Sequence, residues 1–235
     1  MNLLTVDTSG PSAGVAIVKD GAVAYEGLAV NRLTHSANLL PMVDQALTRA
    51  GLDISEVDLF AAVVGPGSFT GVRIGVSTVK GLAHGAGKPC VAVNALEALA
   101  AGLCLSDGLL CPLQDARAGQ VYAAAFWGGL PPQRALPDQA VALDAFLDAA
   151  LGVAGESHLV FTGDGVAPYR QVIAARLGGR ARFAPAHLCY LRPASAAALA
   201  WTRRDETTDY LGLMPVYLRA PQAERERRRR QGENA

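Results

Sequence analysis

The chain is poor in the residues that usually announce chemistry. Its four cysteines, Cys90, Cys104, Cys111 and Cys189, form no CxxC pair, which leaves no thiol redox motif or cysteine zinc site to read. They stand among aliphatic residues and are expected to be small buried hydrophobes. The four histidines, His35, His84, His158 and His187, fall at neither HxxH nor HxxxH spacing, so no helix carries a histidine metal pair. There is no GxSxG, and Ser68 has no base signalled nearby, so nucleophilic catalysis has no local signature. The apolar stretch 92–105 is interrupted by Glu97, and no uncharged apolar run approaches the ~20 residues of a membrane span. Neither sign of charge is in excess, with 21 basic and 21 acidic residues, so no global field draws the chain to nucleic acid. "MNLLTVDTSG" is not a signal peptide, and a cytoplasmic, reduced protein is expected.

What is present is core. Hydrophobic residues make up 51% of 235. A chain of this size buries roughly 70–75% of its unfolded surface without a disulfide or metal staple. It has room for one large domain or two lobes of about 100 residues.

Leu3 to Val6 is apolar and β-prone, and two further strands flank Asp20-Gly21, a hairpin signal. "SANLLPMVDQALTRAGLD" reads as a helix, with Ser36 as N-cap and Gly51 as C-cap. Pro41 is tolerable there in the first turn or at a bend. Its apolar arc, Leu39, Leu40, Met42, Val43 and Leu47, is broad for a helix with one face on a core. "VDLFAAVVG", "GVRIGVSTVKGLAHGAG" and "KPCVAVNA" give strand, helix, strand, a parallel crossover. The segment around Asp115 to Gly119 then restarts like the opening, which suggests a duplication. "LMPVYLR" is expected to be a final strand. The division expected is a first lobe over 1–104, a smaller lobe over 105–205, a last strand within 206–219 and a tail, 220–235. That tail holds five arginines in "ERERRRRQGENA" and is expected to be disordered and solvated. The fold class expected is α/β, two-lobed and actin-like (the ribonuclease H-like, ASKHA group), with mixed sheets in β-β-β-α-β-α-β order.

Two stretches could touch a nucleotide. "DTSG" places Asp7, Thr8 and Ser9 in the first hairpin turn, which in actin-like folds faces phosphate and metal; an ordinary turn uses the same residue types. Asp115 is the candidate acid of the second lobe. "GPGSFTG", with Gly67 at its centre, lacks the GKS or GKT of a P-loop and the downstream acid of a dinucleotide site. In the helix that follows, Gly71, Gly75 and Thr78 share one face and would let another helix approach closely.

"LLTVDTSGPSAGVAIVKDG", "HSANLLPMVDQAL", "GPGSFTGVRIGVSTVKGLA", "QDARAGQVYAAAF" and "PVYLR" together resemble the bacterial TsaB (YeaZ) family. The resemblance implies a non-catalytic subunit of the machinery that makes threonylcarbamoyladenosine in tRNA beside the anticodon. It implies pairing with the TsaD transferase, with the P-loop ATPase TsaE joining the pair, and tRNA met only through the complex. His35, Leu39, Leu40, Val43 and Leu47, with Gly71, Ile74, Gly75 and Thr78, are expected to form the partner face. A homodimer is expected when the chain is alone. No cofactor of its own is expected, though ATP or ADP could enter with the complex. An independent actin-like ATP-dependent kinase or hydrolase is the alternative.

Overall fold

The computed structural model describes residues 1–31 and 34–219; the arginine-rich tail lies outside them. β1 (Asn2–Asp7), β2 (Ala13–Lys19) and β3 (Ala22–Ala29) form an antiparallel meander. The turn between β2 and β3 is Asp20-Gly21, both at positive φ (50° and 86°), as a two-residue hairpin loop requires. Helix α1 spans His35–Ala50, and Gly51 closes it at φ 64°, donating to the carbonyls of Leu47 and Thr48. The N-cap is Thr34, not Ser36, and its side chain makes no capping bond. Pro41 lies past the first turn, on the exposed side of the helix.

β4 (Leu59–Gly65) is buried at every position and runs parallel between β1 and β5 (Cys90–Asn94). A strand covered on both faces must be apolar throughout, and "LFAAVVG" is. Helix α2 (Phe69–Ala86) makes the crossover, and α3 (Ala95–Ala101) follows.

The plan then repeats. β6 (Leu109–Asp115), β7 (Gln120–Trp127) and β8 (Gln133–Ala142) form the second meander. α4 (Leu143–Ala154), β9 (Leu159–Thr162), α5 (Val166–Leu177), β10 (Ala181–Phe183) and α6 (Pro193–Thr202) complete it. The sheets are ordered β3-β2-β1-β4-β5 and β8-β7-β6-β9-β10, one topology used twice. This is the two-lobed actin-like α/β architecture. β8 carries Pro137 and is half-exposed, which masks a strand in sequence; proline is tolerated because β8 is an edge.

The last strand expected at "LMPVYLR" does not form. Between 206 and 219 the only ladder element is an isolated bridge between Thr208 and Cys90. The segment runs instead as a strap along α2, with Leu213 fully buried in the first lobe's core.

Helices α1 and α2 cover the outer face of the first sheet, and α4 and α5 that of the second. Between the sheets, α6 lies on β1 and β2 while α3 lies on β6 and β7. Each lobe's last helix therefore leans on the other lobe's sheet, and one apolar cluster joins Leu3, Val63 and Val93 to Leu110, Phe126 and Val160. Polar links support it: Arg203 pairs with the buried Glu97, Arg192 with Glu26, and Asn94 hydrogen-bonds Asp138. Cys90 and Cys111 are buried as expected, but Cys104 and Cys189 are only partly so.

Candidate functional site

A cavity of about 500 Å³ opens between the lobes where the ends of β1, β4, β6 and β9 converge. Ser9, Gly67 and Asp115, three of the residues singled out in the sequence, line it. Asp7 and Thr8 do not. Asp7 is fully buried beneath the turn; its Oδ1 accepts from the Ser9 backbone N–H at 2.8 Å, and its Oδ2 has no partner. Burial pushes its carboxyl up to about 6, against the pull of the Ser9 backbone bond and of His35. Thr8 Oγ1 donates to the Gly71 carbonyl at 2.7 Å.

The second lobe mirrors this turn. Asp115 Oδ1 accepts from the Arg117 N–H at 2.8 Å, again two residues on, and Arg117 and Ala118 take positive φ (61° and 51°). The sequence did not single out Asp164, Gln114 or Tyr217, which also line the cavity. Burial pushes Asp164 up to about 6, and the neighbouring charges of Asp115 and Asp7 add to the rise. Gln114 is buried with its Oε1 unpartnered, as is Ser9 with its Oγ. The usable signal for Asp164 was the second lobe's own corner, "TGDG", the counterpart of "GPGS".

The glycines of "GPGSFTG" have a local cause. A Cβ on Gly67 would lie 2.2 Å from the Ser9 carbonyl oxygen. One on Gly71 would lie 2.1 Å from the Thr8 oxygen, and one on Gly75 2.5 Å from Thr8 Oγ1. Ser68 N–H donates to the Ser9 carbonyl at 2.7 Å. The first hairpin turn therefore sits directly on this corner, with no room for side chains between. The corner serves close internal packing.

The Ser9 N–H is taken by Asp7 and the Asp7 carboxyl is sealed from the cavity, whose lining carries Asp115 and Asp164 together with Arg117 and Arg219. Among the described residues no group of three or more His, Cys, Asp or Glu is placed to hold a metal ion.

The expected partner face needs correcting. Leu39 and Val43 are 1% and 4% exposed and belong to the chain's own core. Gly71 and Gly75 face β1 and its turn, not a second molecule. The same two helices nevertheless carry an outward face. Leu40 is 57% exposed on α1. On α2, Ile74 and Thr78 are half-exposed, Gly81 and Gly85 are exposed, and neither of these glycines has any atom near its Cβ position. Leu47 is half-buried against the core. His35 Nε2 lies 2.9 Å from the Gly10 carbonyl, which ties it to the hairpin turn.

Residues 30–226 match the family model described as TsaD, tRNA N6-adenosine threonylcarbamoyltransferase. The chain is 34% identical to the tRNA threonylcarbamoyladenosine biosynthesis protein TsaB of Bacillus subtilis, over 95% of this chain and 96% of that one. It is 39% identical to the Escherichia coli protein of the same name over 54% of this chain and 55% of the relative. A solved structure, YeaZ from Pseudomonas aeruginosa, superposes with a TM-score of 0.77 at 28% identity, covering 92% of this chain and 99% of that one.

Proposed function

Because the chain belongs to the TsaB (YeaZ) family, we propose that it acts in tRNA threonylcarbamoyladenosine biosynthesis as a non-catalytic subunit that pairs with and activates a TsaD-type transferase. The observation that carries the biosynthetic role is the end-to-end likeness to TsaB, 34% identity over 95% of the chain. The pairing is supported by the outward face of α1 and α2. It presents Leu40, Ile74, Thr78, Gly81 and Gly85, apolar or small groups that let a second pair of helices approach. A TsaD-type partner of the same fold would offer the equivalent two helices. When the partner is absent, a second copy of this chain would use the same face by two-fold symmetry.

In this reading tRNA and TsaE are met through the assembled complex, and ATP or ADP enters with that complex rather than in the interlobe cavity. On the same reading the protein works in the cytoplasm, where the complex meets tRNA. Among the described residues no helix is long and apolar enough to cross a membrane. The experiment is reconstitution of the modification from purified components, omitting each in turn. Loss of threonylcarbamoyladenosine when only this chain is withheld supports the reading. Full modification without it, or Mg-ATP turnover by this chain alone, refutes the non-catalytic assignment.

A further inference from the structure

The strap that follows α6 is largely exposed on both sides of one fully buried residue, Leu213, and Leu211 beside it is 62% exposed. Its root, up to Leu213, is fixed on the first lobe. Thr208 and Cys90 exchange two backbone hydrogen bonds (2.7 and 2.9 Å), and the Tyr210 ring stacks on His84 at 4.3 Å. Leu213 is completely buried in the first lobe's core, which anchors the strap by apolar burial. After Leu213 no side chain is fully buried: Met214, Val216 and Tyr217 are 61%, 43% and 40% exposed.

Three kinds of link hold this end. Val216 N–H donates to the Val64 carbonyl at 2.8 Å, over Gly65, where a Cβ would come 2.7 Å from the Val216 oxygen. Tyr217 stacks on Phe69 (centroids 4.8 Å apart), and its hydroxyl accepts from Arg73 Nε at 2.9 Å while the Arg73 guanidinium covers Phe69 at 4.1 Å. Finally Arg219 reaches across to the second lobe and donates to the Ala116 carbonyl at 3.1 Å. Val216, Tyr217, Leu218 and Arg219 line the interlobe cavity together with Asp115 and Asp164.

We propose that residues 214–219 are a gate over the cavity, latched to α2 by Tyr217 and to the second lobe by Arg219. The gate swings about the Met214-Pro215 joint while the Leu213 anchor stays in place. The physical reason is the asymmetry of the two halves. The root is held by apolar burial, which yields only when the core does. The end has no fully buried side chain and is held by hydrogen bonds and a ring contact, each of modest net strength, and opens without unfolding the lobe. Opening admits water and solutes to Ser9, Gln114 and Asp164. Closing ties the two lobes together through the Arg219 bond. This inference goes beyond the proposed pairing, and its test needs no partner protein.

The test is amide hydrogen exchange on the full chain, comparing the native protein with Tyr217→Ala and Arg219→Ala. In Tyr217→Ala, amides of 216–219 and of the β6–β7 turn, 115–119, exchange about tenfold faster or more, while those of α1 and of 207–213 keep their native rates. In Arg219→Ala the 115–119 turn speeds up and the Val216 amide stays protected. Exchange at 115–119 within about twofold of native in both variants overturns the gate. So does acceleration there that comes only together with α1, since that is loss of the lobe and not opening of a latch.

Discussion

In the second lobe the outer helices are tied together by charge: Arg176 of α5 pairs with Asp144 (2.6 Å) and with Asp148, both on α4. In the first lobe no ion pair among the described residues joins α1 to α2. Their shared outer surface carries Leu40, Ile74 and Thr78 with the bare backbone of Gly81 and Gly85. The strand order beneath is the same in both. One architecture thus presents a solvated, self-paired face on one side and, on the other, a low-relief strip of apolar and small residues with Asp44 and Arg73 exposed beside it. The second kind of surface suits helix-on-helix docking; the first has already satisfied its charges. The cavity corners are alike in packing and differ in charge. A Cβ on Gly67 would lie 2.2 Å from the Ser9 carbonyl oxygen and one on Gly163 2.0 Å from that of Leu113, but only the second lobe's corner brings an acid, Asp164, to the cavity wall.

The largest effect expected is Leu39→Arg. It forces a charge into a fully buried site, and truncations alone at such sites cost about 2–5 kcal/mol; thermal denaturation should show an unfolded or severely destabilised protein. Its neighbour Leu40→Arg should melt within a degree or two of native, a shift set by surface substitutions worth about 0.5 kcal/mol or less. Equal destabilisation by the two would erase the inward–outward distinction on α1.

Asp7→Asn comes next. The folded carboxyl, at about 6, stands above its ordinary 3.8, so the native protein is favoured by protonation. That contribution is complete below about pH 4, is lost as pH rises through about 6, and is worth up to about 3 kcal/mol. An amide at this position carries no such loss. The variant should therefore be more stable than native at pH 7–8, with the gap closing below about pH 4. Urea denaturation across pH measures it; a gap that does not change with pH contradicts the buried-acid account.

On α2 the two glycine rows give opposite signs. Gly71→Ala drives a methyl into the Thr8 carbonyl and should cost about 1–3 kcal/mol. Gly81→Ala meets nothing and should stabilise by about 0.5–1 kcal/mol. Destabilisation by both, read from denaturant midpoints, would mean that the outer row is also packed within the chain. Smallest of all, Arg176→Ala should cost the second lobe about 0.2–1 kcal/mol, since its partners are largely exposed.

Much of the fold was legible because local and global signals agreed. Asp20-Gly21 demanded a tight hairpin, Gly51 a helix stop, and "LFAAVVG" a strand buried on both faces. β8 was hidden by Pro137 and its polar, edge-strand composition, and the strap by a pattern, "LMPVYLR", that satisfies strand propensity without a strand to pair with. Of the site, Asp7 and Asp115 could be read as turn acids, but which of them reaches the cavity depends on tertiary packing. Of the residues expected on the partner face, Leu39, Val43, Gly71 and Gly75 are turned inward. Leu39 and Val43 stand four apart on the row that faces the sheet, and Leu40, one residue along, points out. A sequence shows that an apolar arc is too broad; only the sheet beneath decides which edge of it is left over. The same holds for α2, where the close approach promised by Gly71 and Gly75 is spent on the chain's own hairpin.

The central claim, that the α1–α2 face is where this subunit meets its transferase, is tested most directly by titrating a TsaD-type partner with the native chain and with Leu40→Arg. The account predicts affinity at least about tenfold weaker for the variant, at an unchanged melting temperature, because an unpaired charge at a docked apolar site costs more than about 1.4 kcal/mol. Native affinity in a folded Leu40→Arg protein would contradict it.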